Sequence, residues 1–402
     1  MSKYIIDDAK RCLQCQTPTC VAGCPIHTPI KEAIALLLRS EVQKAGELLF
    51  ENNPLSLVCS HVCPQENQCE GHCILNNSGG PVYISAIENY ISDYYLNIYQ
   101  PQPSLKNRGR VAVIGAGPAG LSLAFFLARK NFDVTIFEGY DRIGGILRYG
   151  IPEFRLPKTV IDLLGDTLSN MGVKIRPNTT IGTNLNIDEL FRDEYRAIFI
   201  GTGVWRANKI GIKGESLGNV HFAVDYLRNP GVYRLGKSLV VIGSGDVAMD
   251  VARTAFRNGC QEVLVVCRGG ENSIAARQHE VEYAKIDGAR FAYNMSAKEI
   301  TDEGVICVTS EDPQNPKLLA CDSVIIAIGQ GPRSFIVSTT KGIDVVASGL
   351  VAVDEVGRTS REGVFAGGDV VTGAKTVVEA VVAARKVAVA IDEYVKEKFE
   401  SA

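Results

Sequence analysis

Nowhere in the 402 residues do roughly 18 apolar residues run together, the length that a membrane-spanning helix needs. The first stretch, MSKYIIDDAKRC, lacks an apolar segment of signal-peptide length, so the cytoplasm is the expected location. A Lys/Arg tract is missing too, and 42 Lys and Arg against 45 Asp and Glu leave a formal net charge of −3. Neither nucleic acid nor an anionic membrane is therefore expected as a partner. Beyond Cys73 no Cys-x2-Cys or Cys-x4-Cys pair occurs, so a vicinal dithiol is not expected to do chemistry there. The chain is rich in apolar residues, at 46%, which at this length suggests two or three domains with sizeable cores.

Twelve cysteines are many for such a chain, and they are unevenly spread. Eight fall within the first 73 residues, whereas Cys260, Cys267, Cys307 and Cys321 are scattered. Without an export signal, metal or cluster ligation is a better account of the eight than disulfides. They form two groups, Cys12-x2-Cys15-x4-Cys20-x3-Cys24-Pro25 and Cys59-x3-Cys63-Pro64-x4-Cys69-x3-Cys73. Three close cysteines and a fourth before proline follow the spacing of ferredoxin-type [4Fe–4S] binders, in which the fourth serves the other cluster. Two groups thus suggest two clusters, with a pair of structural zinc sites as the alternative. Between them, Thr28-Pro29 reads as an N-cap with proline at the first helical position. Ile30, Ala33, Ile34, Leu37 and Leu38 then share one helical face, and Ala45, Leu48 and Leu49 repeat the pattern. His27, His61 and His72 read as loop residues, since cysteine already fills the ligand positions.

The polar, proline-bearing stretch from Tyr99 to Arg110 marks a domain boundary. Immediately after it, VAVIGAGPAG runs from Val111 to Gly120 and into a helical pattern, LSLAFFLARK. Strand, Gly115-x-Gly117-Pro118-Ala119-Gly120 turn and helix make a dinucleotide-binding unit, whose helix N-terminus offers N–H donors to a pyrophosphate. The next apolar strand, Val134 to Phe137, ends on Glu138, placed to accept hydrogen bonds from a ribose. Gly144-Gly145 in the loop that follows permits close approach of backbone to a flat ligand, or is a surface loop.

A second unit begins at Leu239 to Ile242 and turns through Gly243-Ser244-Gly245-Asp246-Val247-Ala248, where alanine takes the third glycine's place. Its second strand ends on Arg268 instead of an acid, and Gly269 follows. One guanidinium suits the 2′-phosphate of NADP or stacks on adenine; no second base helps it, so NADH and NADPH both stay open with a lean to NADH. Val364-Phe-Ala-Gly367-Gly368-Asp369 places an acid after a short strand, and Thr376 opens an apolar helix running to about Val395. Two nucleotide units, the first completed by C-terminal residues, suggest one bound flavin and one visiting nicotinamide.

The two cysteine runs, GAGPAG, GGILRYGIPEFRLPK, GSGDVAMD and FAGGD occur in this order from about Arg11 to the last helix. In this the chain resembles the family of the glutamate synthase small subunit, the N-terminal part of dihydropyrimidine dehydrogenase and the flavin subunit of its two-chain bacterial counterpart. The resemblance implies an α/β fold: two Rossmann-like domains for FAD and NAD(P)H, the second inserted in the first, after an α-helical iron–sulfur domain. The expected divisions are residues 1–105 for the clusters, 106–235 and 331–402 for FAD, and 236–330 for NAD(P)H.

The resemblance puts Cys12, Cys15, Cys20 and Cys73 on one [4Fe–4S] cluster. It puts Cys24, Cys63 and Cys69 on the second, with Glu88 at the position where the family uses Glu or Gln as fourth ligand and Cys59 left as a spectator. FAD would lie on Gly115, Gly117, Pro118, Ala119, Gly120, Glu138, Gly145, Ile146, Arg155, Ile181, Gly368 and Asp369. The nicotinamide cofactor would lie on Gly243 to Ala248 and Arg268, without the further basic residue that NADPH users of the family usually carry.

The implied activity is electron input: NAD(P)H is oxidised through FAD and the clusters, and a catalytic partner subunit or electron-acceptor protein takes the electrons. No protein side chain is expected to act as acid or base. Glu88 leans toward the glutamate synthase branch, and Gly269 toward an NADH-using branch such as the bacterial pyrimidine reductase. A self-contained disulfide reductase would need the dithiol that is missing after Cys73. A nucleotide-gated scaffold with structural clusters is a third reading, separable by whether NADH bleaches the flavin absorbance.

Overall fold

The computed structural model describes residues 2–183 and 185–400. The apolar run before the first fingerprint becomes the strand Arg110–Ile114, buried at all but its first residue, at the centre of a five-stranded sheet. Neighbours lie in the order Val364–Ala366, Tyr195–Ile200, Arg110–Ile114, Asp133–Phe137, Lys174–Arg176, and every pairing is parallel. A parallel sheet needs cover on both faces. The helix Pro118–Arg129 supplies part of it and packs against Val377–Val395, the helix expected from Thr376. Thr376 caps that helix reciprocally: its Oγ1 accepts from the Glu379 N–H, and a Glu379 carboxylate oxygen accepts from the Thr376 N–H at 3.0 Å.

Chain folding splits the protein into two units. The first takes residues 1–147, 153–204 and 332–402. In it the N-terminal helices Ile30–Leu38, Val42–Asn52, Ser56–Val62 and Ile84–Ile98 close over Ile30, Ala33, Ile34, Leu37, Leu49, Ile87 and Ile91. The helix after Thr28 starts one residue later than a Thr28 cap implies. Pro29 holds the cap position, and the Thr28 hydroxyl lies 3.2 Å from Cys24 Sγ instead. Phe50 meets Phe125 of the nucleotide helix edge to face at 4.9 Å between centroids, which seats the cysteine-bearing helices on the first nucleotide sheet.

The second unit, 148–152 and 205–331, is built on a parallel sheet ordered Val220–Phe222, Ser323–Ile326, Ser238–Ile242, Glu262–Val266, Arg290–Ala292, beside an antiparallel meander, Met295–Thr301, Gly304–Thr309 and Lys317–Ala320. It begins well before residue 236, because the edge strand Val220–Phe222 pairs with Ser323–Ile326 and so belongs to the inserted sheet. Cys260, Cys267, Cys307 and Cys321 are buried in its cores as small apolar side chains.

The first fingerprint can be read atom by atom. Gly115 sits at φ +101°, a backbone region that L side chains rarely adopt, and Gly120 lets the helix come so close that a Cβ there would overlap the carbonyl oxygen of Gly115. Gly120→Ala is therefore expected to cost roughly 1–3 kcal/mol by overpacking. Gly218, where an added Cβ meets nothing within 4 Å, is the control. Thermal unfolding of the two variants should show a clearly lowered midpoint for Gly120→Ala and little change for Gly218→Ala.

Candidate functional site

The eight N-terminal cysteines converge on two pockets in the first unit. Cys12, Cys15, Cys20 and Cys73 line one, together with Leu13, Ile34 and Ile74. Cys24, Cys63, Cys69 and Glu88 line the other, together with Cys20, Cys59, Asn53 and Val378. The helix Ile84–Ile98 explains the carboxylate's place: Ile84, Ile87 and Ile91 bury one face, and Glu88 on that face is only 7% exposed. No histidine lines either pocket. His72 Nδ1 faces the Gln68 carbonyl at 2.6 Å, His61 Nε2 faces Asn89, and His27 Nδ1 faces the Val21 carbonyl.

The electrostatics of these pockets are those of groups out of water. Burial pushes the Cys20 thiol up to about 11 and raises Cys69 further, with the Glu88 charge as the next cause. The hydrogen bond of the Cys63 thiol to Cys59, then burial, raises Cys63. Burial, seconded by Glu70, lifts Glu88 to about 8. Such donors are held as charged ligands only if a cation compensates them. The twelve thiols are free of disulfides. Among the described residues no three His, Cys, Asp or Glu side chains converge on a single ion, as tetrahedral zinc requires with sulfurs at about 2.3 Å. Donors spread around a hollow suit a larger inorganic group with several metal atoms.

Around the first fingerprint, Gly144 donates its N–H to the Ala116 carbonyl at 2.8 Å, so the Gly-Gly loop folds back over the turn. Gly117 and Gly145 face each other: a Cβ on Gly145 would stand 2.8 Å from Gly117 Cα. Bare backbone on both sides is what lets the two turns approach this closely. Gly368 adds a third side, close enough that its Cβ would lie 2.9 Å from that of Ala119. Glu138 accepts from the Ala116 N–H at 2.7 Å and the Tyr140 N–H at 2.8 Å, and each carboxylate oxygen keeps a lone pair for a ribose. Ile181 is buried and Arg155 half-buried, in the stretch of sequence between the Gly-Gly loop and the strand Tyr195–Ile200.

In the second unit, a Cβ on Gly245 would meet nothing within 4 Å, so the turn is open above its backbone. Arg268 stands exposed at its strand tip. Sequence reading missed Arg277, whose N–H and Nε donate to Asp246 at 3.0 and 2.9 Å while the Ala276 N–H donates to the Ser244 carbonyl. Arg277 thereby fixes the first residue of the nucleotide helix. Asn53, Val378 and Arg385 were missed as well, since they come from a helix end and a helix that no motif connects to cysteines. Cys59, set aside on the family's pattern, lies in the second pocket and accepts from Asn53 Nδ2 at 3.3 Å.

Asp369 supplies a pH test. Burial raises its carboxyl to about 6, against the Lys375 N–H that it accepts. Because the folded state then holds a proton that the unfolded chain releases, stability from this group falls as pH climbs from about 4 to 6 and stays low above. In flavin-free protein, Asp369→Asn should remove that decline. Melting scans are expected to show the variant above wild type at pH 7 and the two converging near pH 4.

Comparison with known proteins matches this geometry. The pyridine nucleotide-disulphide oxidoreductase family matches residues 109–388, and the family described as dihydropyrimidine dehydrogenase domain II, 4Fe-4S cluster, matches residues 1–99. The glutamate synthase [NADPH] small chain of Halomonas elongata is 34% identical over 424 residues, covering 96% of this chain and 90% of the relative. The NAD-dependent dihydropyrimidine dehydrogenase subunit PreT of Escherichia coli is 33% identical over 404 residues, covering 98% and 95%. The thioredoxin reductase of T. acidophilum shares the fold, with TM-score 0.57 and 24% identity over 70% of this chain and 97% of that one. A pocketed cysteine domain followed by a two-unit nucleotide fold is thus what the matched families describe, and the chain belongs to the pyridine nucleotide-disulphide oxidoreductase family.

Proposed function

We propose that the chain is the electron-input subunit of a larger oxidoreductase, oxidising NAD(P)H and handing the electrons through FAD and two [4Fe–4S] clusters to a catalytic partner subunit or acceptor protein. The observation that carries this reading is that two cysteine-lined pockets and the first nucleotide fingerprint lie in one structural unit. When bound, FAD takes a hydride from the nicotinamide and gives up electrons singly, the form in which iron–sulfur clusters accept them. Cytoplasmic location agrees with twelve free thiols.

The chain's own residues bind and orient. The turn Gly115 to Gly120 presents backbone N–H groups and a helix N-terminus to the pyrophosphate of FAD, and Pro118 at the first helical turn sacrifices no needed donor. Glu138 accepts from the ribose; Gly145, Ile146, Arg155, Ile181, Gly368 and Asp369 enclose the remainder. Gly243, Ser244, Gly245, Asp246, Val247, Ala248 and Arg268 receive the nicotinamide cofactor, with Asp246 locked by Arg277. Cys12, Cys15, Cys20 and Cys73 hold one cluster; Cys24, Cys63, Cys69 and Glu88 hold the other.

A second reading, an NADH-using subunit of a pyrimidine reductase, draws on one observation. Gly269 stands where a second base would grip a 2′-phosphate, and a Cβ there would overlap Ser273 Oγ, which donates to the Gly270 carbonyl at 2.8 Å. The site is therefore closed to a larger residue unless that hydroxyl turns away.

Purified anaerobically, the protein is expected to carry FAD and about eight iron atoms. Glu88→Ala should lose or convert one cluster while keeping FAD. Iron analysis with EPR of the reduced protein checks both, and zinc in place of iron would overturn the assignment. The isolated chain should reduce artificial dyes with NADH yet oxidise no NADH with glutamine plus 2-oxoglutarate, or with uracil.

Wild type should use NADH at least as well as NADPH. The double variant Gly269→Arg/Ser273→Ala, which clears the overlap, should move kcat/KM toward NADPH by about tenfold, about 1.4 kcal/mol. A tenfold wild-type preference for NADPH would show that other bases read the phosphate.

A further inference from the structure

Arg385 is a cation held against the backbone that leads into the second cysteine pocket, on the carbonyl of Ile26. It lies on the helix Val377–Val395, seven residues after Val378, which itself lines that pocket. Positions seven apart share a helical face, so the face that meets the pocket through Val378 also carries Arg385. The same helix packs against Ser56–Val62, the helix that carries Cys59.

The guanidinium is held in place by neutral groups only. Nη1 donates to Asn52 Oδ1 at 3.1 Å, and Nη2 donates to the carbonyl of Ile26, two residues after Cys24, at 3.2 Å. With its oxygen committed to Arg385, the Asn52 amide keeps its Nδ2 buried and without a hydrogen-bond partner, which is unfavourable. Among the described residues no carboxylate forms an ion pair with Arg385, although half-buried arginines ordinarily find one. Burial works against the charge of Arg385, and the neighbouring Cys24 sulfur works in its favour.

We propose that Arg385 is a positioning residue for the second cluster, supplying its counter-charge and holding its reduction potential up. This rests on the reading that Cys24, Cys63, Cys69 and Glu88 ligate a cluster. Three thiolates and a carboxylate give such a cluster a net negative charge that grows by one on reduction. A fixed cation beside it favours the more negative, reduced form, and cluster potentials respond to net charge and to hydrogen bonding around the sulfurs.

The test uses full-length protein with FAD and iron bound, as wild type, Arg385→Lys and Arg385→Gln, in redox titrations followed by EPR. The second cluster's signal is assigned by its loss in Cys63→Ser. At the potential that half-reduces this cluster in wild type, the reduced-to-oxidised ratio in Arg385→Gln is expected to fall at least threefold. Arg385→Lys should stay within twofold of wild type, and the first cluster should not shift in either. Equal ratios in all three proteins overturn the proposal, as does a lysine variant that behaves like glutamine. Loss of the second cluster's iron from Arg385→Gln also overturns it, making the residue a structural clamp. Wild type that lacks the second cluster's iron fails the underlying reading instead, and iron analysis tells the two failures apart.

Discussion

A charged thiolate or carboxylate cannot stay out of water without a compensating charge, and the N-terminal domain turns eight candidate ligands inward. Left alone, Cys20, Cys63, Cys69 and Glu88 hold on to their protons more tightly than free groups do: burial pushes Cys20, Cys69 and Glu88 up, and the hydrogen bond to Cys59, then burial, pushes Cys63 up. The small apolar core of Ile30, Ala33, Ile34, Leu37, Leu49, Ile87 and Ile91 supports four helices but supplies no charge. Its fold and its ligand chemistry are consequently one problem: metal binding both neutralises the donors and ties the loops that carry them.

The nucleotide fold belongs to a family named for disulphide chemistry, yet after Cys73 the sequence carries no Cys-x2-Cys or Cys-x4-Cys pair. Cys267, Cys307 and Cys321 are buried, burial raises each thiol to about 11, and none lies in a close pair in sequence. A thiol so far from ionisation is a poor nucleophile. In place of a dithiol, the first unit sets cysteine pockets beside the nucleotide sheet, joined through Phe50 and Phe125 and through the helix that begins at the Thr376 cap.

Short-range signals were the legible ones. Gly115 and Gly120 could be read because each serves a local steric need: one a left-handed turn, the other a helix pressed against its own strand. Cysteine spacing was legible for the same reason, since ligands on one loop must reach one group. The start of the inserted unit was not, because Val220–Phe222 is only three residues long and is defined by its partner a hundred residues on. Thr28 misled as a cap because a hydroxyl before proline has two uses, and here the thiol of Cys24 claims it. Arg277, Asn53 and Arg385 had no local signal at all: each acts through a tertiary neighbour that no spacing rule names.

The wall of the second pocket has a consequence for how the protein is made. Asn52 and Arg385 are separated by 333 residues, and Ile26 and Arg385 by 359. At 5–20 residues per second, the ribosome needs roughly 20–70 s between making the two sides. For most of that interval the cysteine helices exist without Val378 or Arg385, and the sheet lacks its edge strand Val364–Ala366. Until then the second pocket lacks the wall that the helix Val377–Val395 contributes through Val378. The pocket's lining is complete only once Val378 has been made, and one helix thus joins the earliest cysteines to residues made more than 300 positions later.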